Sequence, residues 1–212
     1  MYNPPAFRET DTATLHGLIR AARLAIMLTP DPAGGLPEVT HLPLLLDADA
    51  GPFGELHGHI ARANPHGALL RQAGRALVIF PGPEAYVSPS LYASKREHGK
   101  VVPTWNYVAI HAECDATVYD DAAQLRDIVT RLTDHHEAPR TERWAVSDAP
   151  DGFVASQLKG ILGVTLRITA LTGKRKLSQN RPEADRDGVR EGLAASPDPR
   201  DQDVAAIMGA KV

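Results

Sequence analysis

Apolar runs, several of them about a strand long and closed by a proline- and glycine-rich turn, set the strongest limit on how this chain can fold. RLAIMLT leads into PDPAGGLP, VTHLPLLL leads into DADAGPFG, and ELHGHIA follows at once. Parallel strands need a crossover of a dozen or more residues, and these connections are too short to supply one. The pattern predicts an antiparallel meander or small barrel rather than a parallel sheet. ALVIF, AYVS, the long stretch WNYVAIHAECDATVY and ILGVTLRITAL continue it, with PGPE read as a turn between the first two.

Helices punctuate the strands. In TDTATLHGLIRAA, Thr10 or Asp11 can cap a helix that carries Leu15, Leu18, Ile19 and Ala22 on one face. Asn64 followed by Pro65 predicts another helix start, because proline at the first helical position gives up an amide that has no partner there anyway. DDAAQLRDIVTRLTDHHE, entered through Asp120 or Asp121, turns Leu125, Ile128, Val129 and Leu132 inward, and FVASQLKG makes a shorter helix. SPSLYASKREHGKVVP reads as an irregular loop, and the charged, proline-bearing end of the chain shows only short helical patterns. No internal repeat appears. The expected organisation is one domain over residues 1–181 with a peripheral helical tail over 182–212.

With 43% hydrophobic and 23% charged residues in 212, the chain can bury a core. A net charge of −3, with no helix-turn-helix pattern and no basic recognition helix, argues against conventional DNA reading. No apolar run reaches membrane-spanning length, and MYNPPAFRETD has neither a basic nor an apolar leader segment. The single cysteine, Cys114, lies in an alternating stretch as a packed strand residue, and its lack of a partner fits a reducing compartment. A cytoplasmic protein is expected. There is no GxSxG, GxGxxG or P-loop, so a nucleophilic triad and a Rossmann-type site have no support.

Three stretches carry chemistry. HGHIARANPH, residues 57–66, admits three readings. His57 and His59 share one strand face and, with His41, could form a three-histidine metal site, although no carboxylate stands at ligand spacing. Alternatively, Arg62 before the Asn64–Pro65 helix start could cradle a phosphate, with small Ala61 and Ala63 letting backbone approach. The third reading is a capped helix with a solvated arginine. VVPTWNY, residues 101–107, combines flat apolar surface with amide groups, as a planar heteroaromatic ligand requires, or anchors a loop through a buried tryptophan. GKRKLSQNR, residues 173–181, is either a solvated basic turn or an anion-binding or subunit-contact arm.

Taken in order, MYNPPAFRETD, THLPLLL, HGHIARANP, GPEAYVSPSLYASK, VPTWNY and GKRKLSQNR resemble the PaiB family of FMN-binding negative transcriptional regulators over nearly the whole chain. The resemblance implies a mainly β protein with flanking helices (α+β), an FMN-binding split barrel. Its core would be an antiparallel, Greek-key-like six-stranded barrel. It also implies a homodimer with FMN near the subunit interface. Thr40, His41, Leu42 and Pro43 would lie by the flavin ring, and His57, Gly58 and His59 along the ribityl chain. Ala61, Arg62 and Asn64 would lie at the phosphate. Tyr86, Ser88, Trp105 and Asn106 would add contacts, and Lys174, Lys176, Ser178 and Gln179 would reach across the dimer. Two positions where the family carries tryptophan are Gly67 and Leu91 here, which predicts weaker FMN binding. No catalytic residue is assigned. Two other functions fit the same frame. One is an FMN-dependent oxidoreductase, of flavin-reductase or pyridoxamine-phosphate-oxidase type, taking a small molecule or nicotinamide as substrate. The other is a haem- or metal-binding split barrel using His41, His57, His59 or His111.

Overall fold

Alternation of small or aliphatic residues with polar ones is what makes the strands, and the computed structural model describes them within residues 1–209. The tail expected over 182–212 therefore ends in three residues, 210–212, outside the described ones. In chain order the first elements are β1 (Arg8–Glu9), α1 (Thr12–Ala21), β2 (Ala25–Thr29), β3 (Glu38–Leu42), β4 (Leu45–Asp47), β5 (Glu55–Ala61) and α2 (His66–Ala73). They are followed by β6 (Arg75–Val87), α3 (Ser94–His98), β7 (Thr104–Tyr119), α4 (Ala122–Glu137), α5 (Asp151–Leu158), β8 (Ile161–Lys176), α6 (Glu183–Ala194) and α7 (Pro199–Gly209).

The chain divides into two units. The first takes Met1–Ala21, Pro81–Ile110 and the described residues from Thr172 on; the second takes Ala22–Phe80 and His111–Leu171. Strands β6, β7 and β8 run through both. In the second unit the strand order is β3-β2-β6-β7-β8-β5-β4. The register is antiparallel, with Met27 opposite Thr40 and Val78, and His57 opposite Thr165. Ala25, Met27 and Thr29 of β2 turn inward, as do Leu56, Gly58 and Ile60 of β5, while the residues between them are partly exposed. Of the eight strands among the described residues, six have five or more residues; β1 and β4 are the short additions.

α1 begins where expected. Asp11 Oδ2 accepts from the Thr14 amide at 2.7 Å, and Leu15 and Ile19 are buried. Gly17 sits inside this helix with open space where a Cβ would stand. Gly17→Ala is thus expected to raise stability by about 0.5–1 kcal/mol, because the helix gains propensity without a clash; a denaturant midpoint at or below that of the unaltered protein would contradict this. Asp121 caps α4 through the Ala123 and Gln124 amides, and Leu125, Ile128 and Leu132 are buried while Val129 is partly so.

Several local expectations need correction. VTHLPLLL is two strands, broken at Pro43, which has no amide to give a ladder. There the chain crosses so close to β5 that a Cβ on Gly58 would stand 2.9 Å from the Pro43 carbonyl oxygen. PGPE is not a turn; β6 passes straight through it. Pairing with β2 covers Leu77–Ile79, so the missing amides of Pro81 and Pro83 fall past that ladder, and Gly82 lets the backbone close on Val108. SPSLYASKREHGKVVP holds a one-turn 3-10 helix at Pro89–Leu91 and the short α3 rather than an irregular loop throughout.

GKRK is likewise no solvated turn. It is the end of β8, where β1 pairs Arg8 with Lys174 and Glu9 with Gly173. Arg175 meets Glu9 at 3.1 Å, both side chains largely buried, and Gly173 leaves room for Leu15. Beyond it, α6 and α7 place Val189, Leu193, Val204 and Ala205 in one apolar cluster with Ala85, Val87, Tyr92, Val108 and Leu177. Among the described residues no helix is long and apolar enough to cross a membrane.

Candidate ligand-binding site

HGHIARANPH ends in a hydrogen-bonded chain rather than an open cradle. Asn64 Oδ1 accepts from the His66 amide at 3.0 Å, so asparagine caps the first turn of α2 as its type predicts. Asn64 Nδ2 donates to Thr40 Oγ1 at 3.0 Å, and Thr40 Oγ1 lies 2.8 Å from His66 Nδ1. His66 Nε2 lies 2.8 Å from Thr29 Oγ1, whose hydroxyl reaches the Arg75 carbonyl at 3.5 Å. One proton arrangement satisfies every member. Thr29 donates to Arg75 and accepts from His66 Nε2–H, while the bare Nδ1 accepts from Thr40. His66 is completely buried, and burial lowers its pKa, so the ring is neutral. Neither His66 nor Thr29 stood among the residues expected at the site. The only signal in the sequence was a histidine directly after Asn64–Pro65.

Arg62 is engaged within the protein. Its Nε donates to the Lys159 carbonyl at 2.8 Å and its guanidinium meets Asp120 at 3.2 Å. Ala61 and Ala63 beside it are exposed. His57 contacts Glu55 at 3.2 Å through Nε2 and Thr165 at 3.4 Å through Nδ1. His59, two residues on, keeps Nδ1 buried without a hydrogen-bond partner among the described residues. Burial lowers the pKa of both rings. His41 is exposed on β3, Leu42 is buried, and Thr40 and Pro43 are partly buried. Among the described residues no three His, Cys, Asp or Glu side chains gather to hold a metal, so His41, His57 and His59 do not converge. Burial, with Asp115 and Glu113 alongside, pushes the Cys114 thiol up to about 12, which makes it an inert packed residue.

The other expected contacts gather in the first unit. Lys174 is buried; its ammonium donates to the Tyr2 carbonyl at 3.0 Å and stands 5.4 Å and 5.1 Å from the centres of the Tyr2 and Tyr107 rings. Lys176 donates to Thr104 Oγ1 and, at 2.6 Å, to the Trp105 carbonyl, and burial lowers its pKa. Trp105 is 51% exposed and meets the 49% exposed Tyr86 edge-to-face, ring centres 6.1 Å apart. Buried Asn106 and Ser178 exchange hydrogen bonds at 3.0 and 3.1 Å, holding Ser178 at φ +63°, a left-handed conformation rare for serine. Gln179 accepts from the Leu177 amide at 2.7 Å and donates to the Arg175 carbonyl, closing the turn after β8. Ser88 accepts from the Ser90 amide at 3.2 Å and so caps a 3-10 turn. The structure thus brings Lys176 to the exposed Trp105–Tyr86 ring pair and keeps Lys174 buried against Tyr2 and Tyr107, while Asn106, Ser178 and Gln179 shape the backbone around them.

Gly67 and Leu91, where the resemblance implies tryptophan, both sit against close neighbours. A Cβ on Gly67 would stand 2.7 Å from Leu162 Cδ1, so α2 sits against β8 with no space for a ring. Leu91 packs into a notch made by Gly188 and Gly192 of α6, where a Cβ would stand 2.2 Å from the Leu91 carbonyl oxygen and 2.3 Å from its Cδ2 respectively. Gly67 and Leu91 are thus each fitted closely to their neighbours.

An antiparallel, mainly β architecture with flanking helices and this order of strands is that of the split-barrel proteins. The chain belongs to the family described as "Putative FMN-binding domain", whose model matches residues 1–170, the PaiB type expected from its motifs. An uncharacterized protein of Aspergillus fumigatus is 34% identical across 91% of this chain and 90% of its own length. Protease synthase and sporulation protein PAI 2 of Bacillus subtilis is 30% identical across 100% of this chain and 98% of its own. Two solved structures share the fold. The FAD and heme binding protein of Mycobacterium smegmatis matches with TM-score 0.56 and 20% identity, covering 96% of this chain and 80% of that one. The conserved hypothetical protein Rv2991 of Mycobacterium tuberculosis matches with TM-score 0.60 and 11% identity, covering 86% and 95%.

Proposed function

We propose that this protein binds FMN, as a homodimer, and serves as a regulator of the PaiB type. The observation that carries the reading is the lysine–aromatic cluster of the first unit. FMN needs cationic or amide partners for a phosphate and a flat apolar surface for a ring system. Lys176 supplies the cation beside the rings, and buried Lys174 adds positive field behind it. Trp105 and Tyr86, half exposed, supply the flat surface. These residues of the first unit therefore fit the group. Bound flavin would supply a redox-active ring; the chain's own residues bind it, orient it and keep water from its faces. Exposed Tyr86, Val102 and Trp105 together give the first unit an apolar surface suited to a second copy. The −3 net charge supports regulation through a partner or a redox signal over direct DNA reading.

Titration of the purified protein with FMN, followed by flavin fluorescence, tests the reading. Saturable binding is expected, and Lys176→Gln should weaken it about tenfold or more by removing a charge-assisted contact. Sedimentation should give a dimer. FMN affinity unchanged in Lys176→Gln, or no binding to the unaltered protein, would reject the proposed site.

A further inference from the structure

A helix lying on a sheet ordinarily buries an apolar layer between them. In the second unit that layer is interrupted beneath α4. Ala123, Gln124, Asp127, Ile128 and Arg131, one face of the helix, roof a cavity of about 500 Å³. Its floor is polar: Thr117 and Tyr119 of β7, Thr165 of β8 and His57 of β5. Thr117 is exposed and His57, Tyr119 and Thr165 are partly so, which lets a ligand from solvent reach a row of four hydrogen-bonding side chains across three strands.

The floor is also wired. Glu55 accepts from His57 Nε2, which leaves Nδ1 bare and facing the Thr165 hydroxyl, with the Tyr119 hydroxyl hydrogen-bonded to Thr165 in turn. Gly163 permits this, since a Cβ there would lie 2.2 Å from the Tyr119 ring. On the roof, Arg131 and Asp127 form an i,i+4 pair at 3.6 Å with 42% and 65% of their side chains exposed. Such a pair contributes little, so a ligand offering both charges can open it readily. The cavity lining carries one carboxylate, Asp127, and one guanidinium, Arg131. That balance disfavours a simple anion and favours a molecule that carries an ammonium as well as a carboxylate.

We propose that the cavity under α4 binds a free α-amino acid, its carboxylate on Arg131, its ammonium on Asp127 and its side chain over Thr117, Thr165 and Tyr119. This site does not depend on the flavin reading. The test is titration of the ¹⁵N-labelled full chain with L-serine, L-glutamine and L-arginine, with N-acetyl-L-glutamine and L-glutamine amide as charge-deleted probes. At least one amino acid should produce saturable shifts at the Thr117, Gln124, Arg131 and Thr165 amides. Each charge-deleted probe should bind about tenfold or more weakly than L-glutamine. Arg131→Gln, at a half-exposed position, should cause the same loss without changing the melting temperature, and Thr165→Val should weaken binding too. No saturable shift at millimolar concentration of all three amino acids would overturn the proposal. So would N-acetyl-L-glutamine binding as tightly as L-glutamine, or undiminished binding by Arg131→Gln.

Discussion

Replacing His66 with leucine is expected to lower stability by about 2–4 kcal/mol, because leucine fills the space but leaves Thr29 and Thr40 each short of a buried partner. At this chain length that corresponds to a fall in melting temperature on the order of 5–15 °C. The difference should depend on pH with a definite sign. Burial lowers the pKa of His66 in the folded protein from the usual 6.5. The unfolded chain therefore takes up a proton below about pH 6.5 that the folded chain refuses. The stabilisation from neutral His66 is complete above that pH and is lost as pH falls toward the lowered folded value. The gap between the unaltered protein and His66→Leu should therefore be widest near neutrality and narrow on acidification. His57, His59 and His111 carry pKa shifts in the same direction, so both proteins should also weaken in acid for that shared reason. A gap that widens as pH drops would show that His66 is charged in the fold and that the hydrogen-bonded chain is drawn wrongly.

Gly188→Ala is expected to destabilise by about 1–3 kcal/mol even though it replaces a glycine inside a helix. Helix propensity alone argues the other way by about 1 kcal/mol. Sterics decide the sign, because the new Cβ would stand 2.2 Å from the Leu91 carbonyl oxygen, a backbone atom that cannot swing aside. α6 would have to move off the Pro89–Leu91 turn and out of the cluster that holds Val189 and Leu193. Gly17→Ala, with open space at its Cβ, is the control that must go up while Gly188→Ala goes down. Equal changes in both would mean that propensity, and not the notch around Leu91, governs this helix.

Local chemistry was readable wherever one residue type has one local use. Asp11 and Asp121 cap the helices they precede, Asn64 caps α2, and the alternation in ELHGHIA and WNYVAIHAECDATVY delivers β5 and β7. Antiparallel pairing follows from connections too short for crossovers, and the family motifs carried the fold class with them. What the sequence could not say is what lies across from a residue. Pro81–Gly82–Pro83 has the composition of a turn, yet it runs straight because Val108 packs against Gly82 and no β2 amide is owed there. GKRK has the composition of a solvated arm, yet β1 pairs with it, Glu9 neutralises Arg175, and two tyrosine rings enclose Lys174. Arg62 reads as a free anion ligand until Asp120, 58 residues away, takes its guanidinium. His66 reads as one more helix residue until Thr29 and Thr40 close on both ring nitrogens. Caps, turns and alternation arise from interactions between near neighbours, which the order of residues determines. The partner of a charge, the neutrality of an imidazole and the room beside a glycine are set by segments far apart in the chain, and only the tertiary structure brings those together.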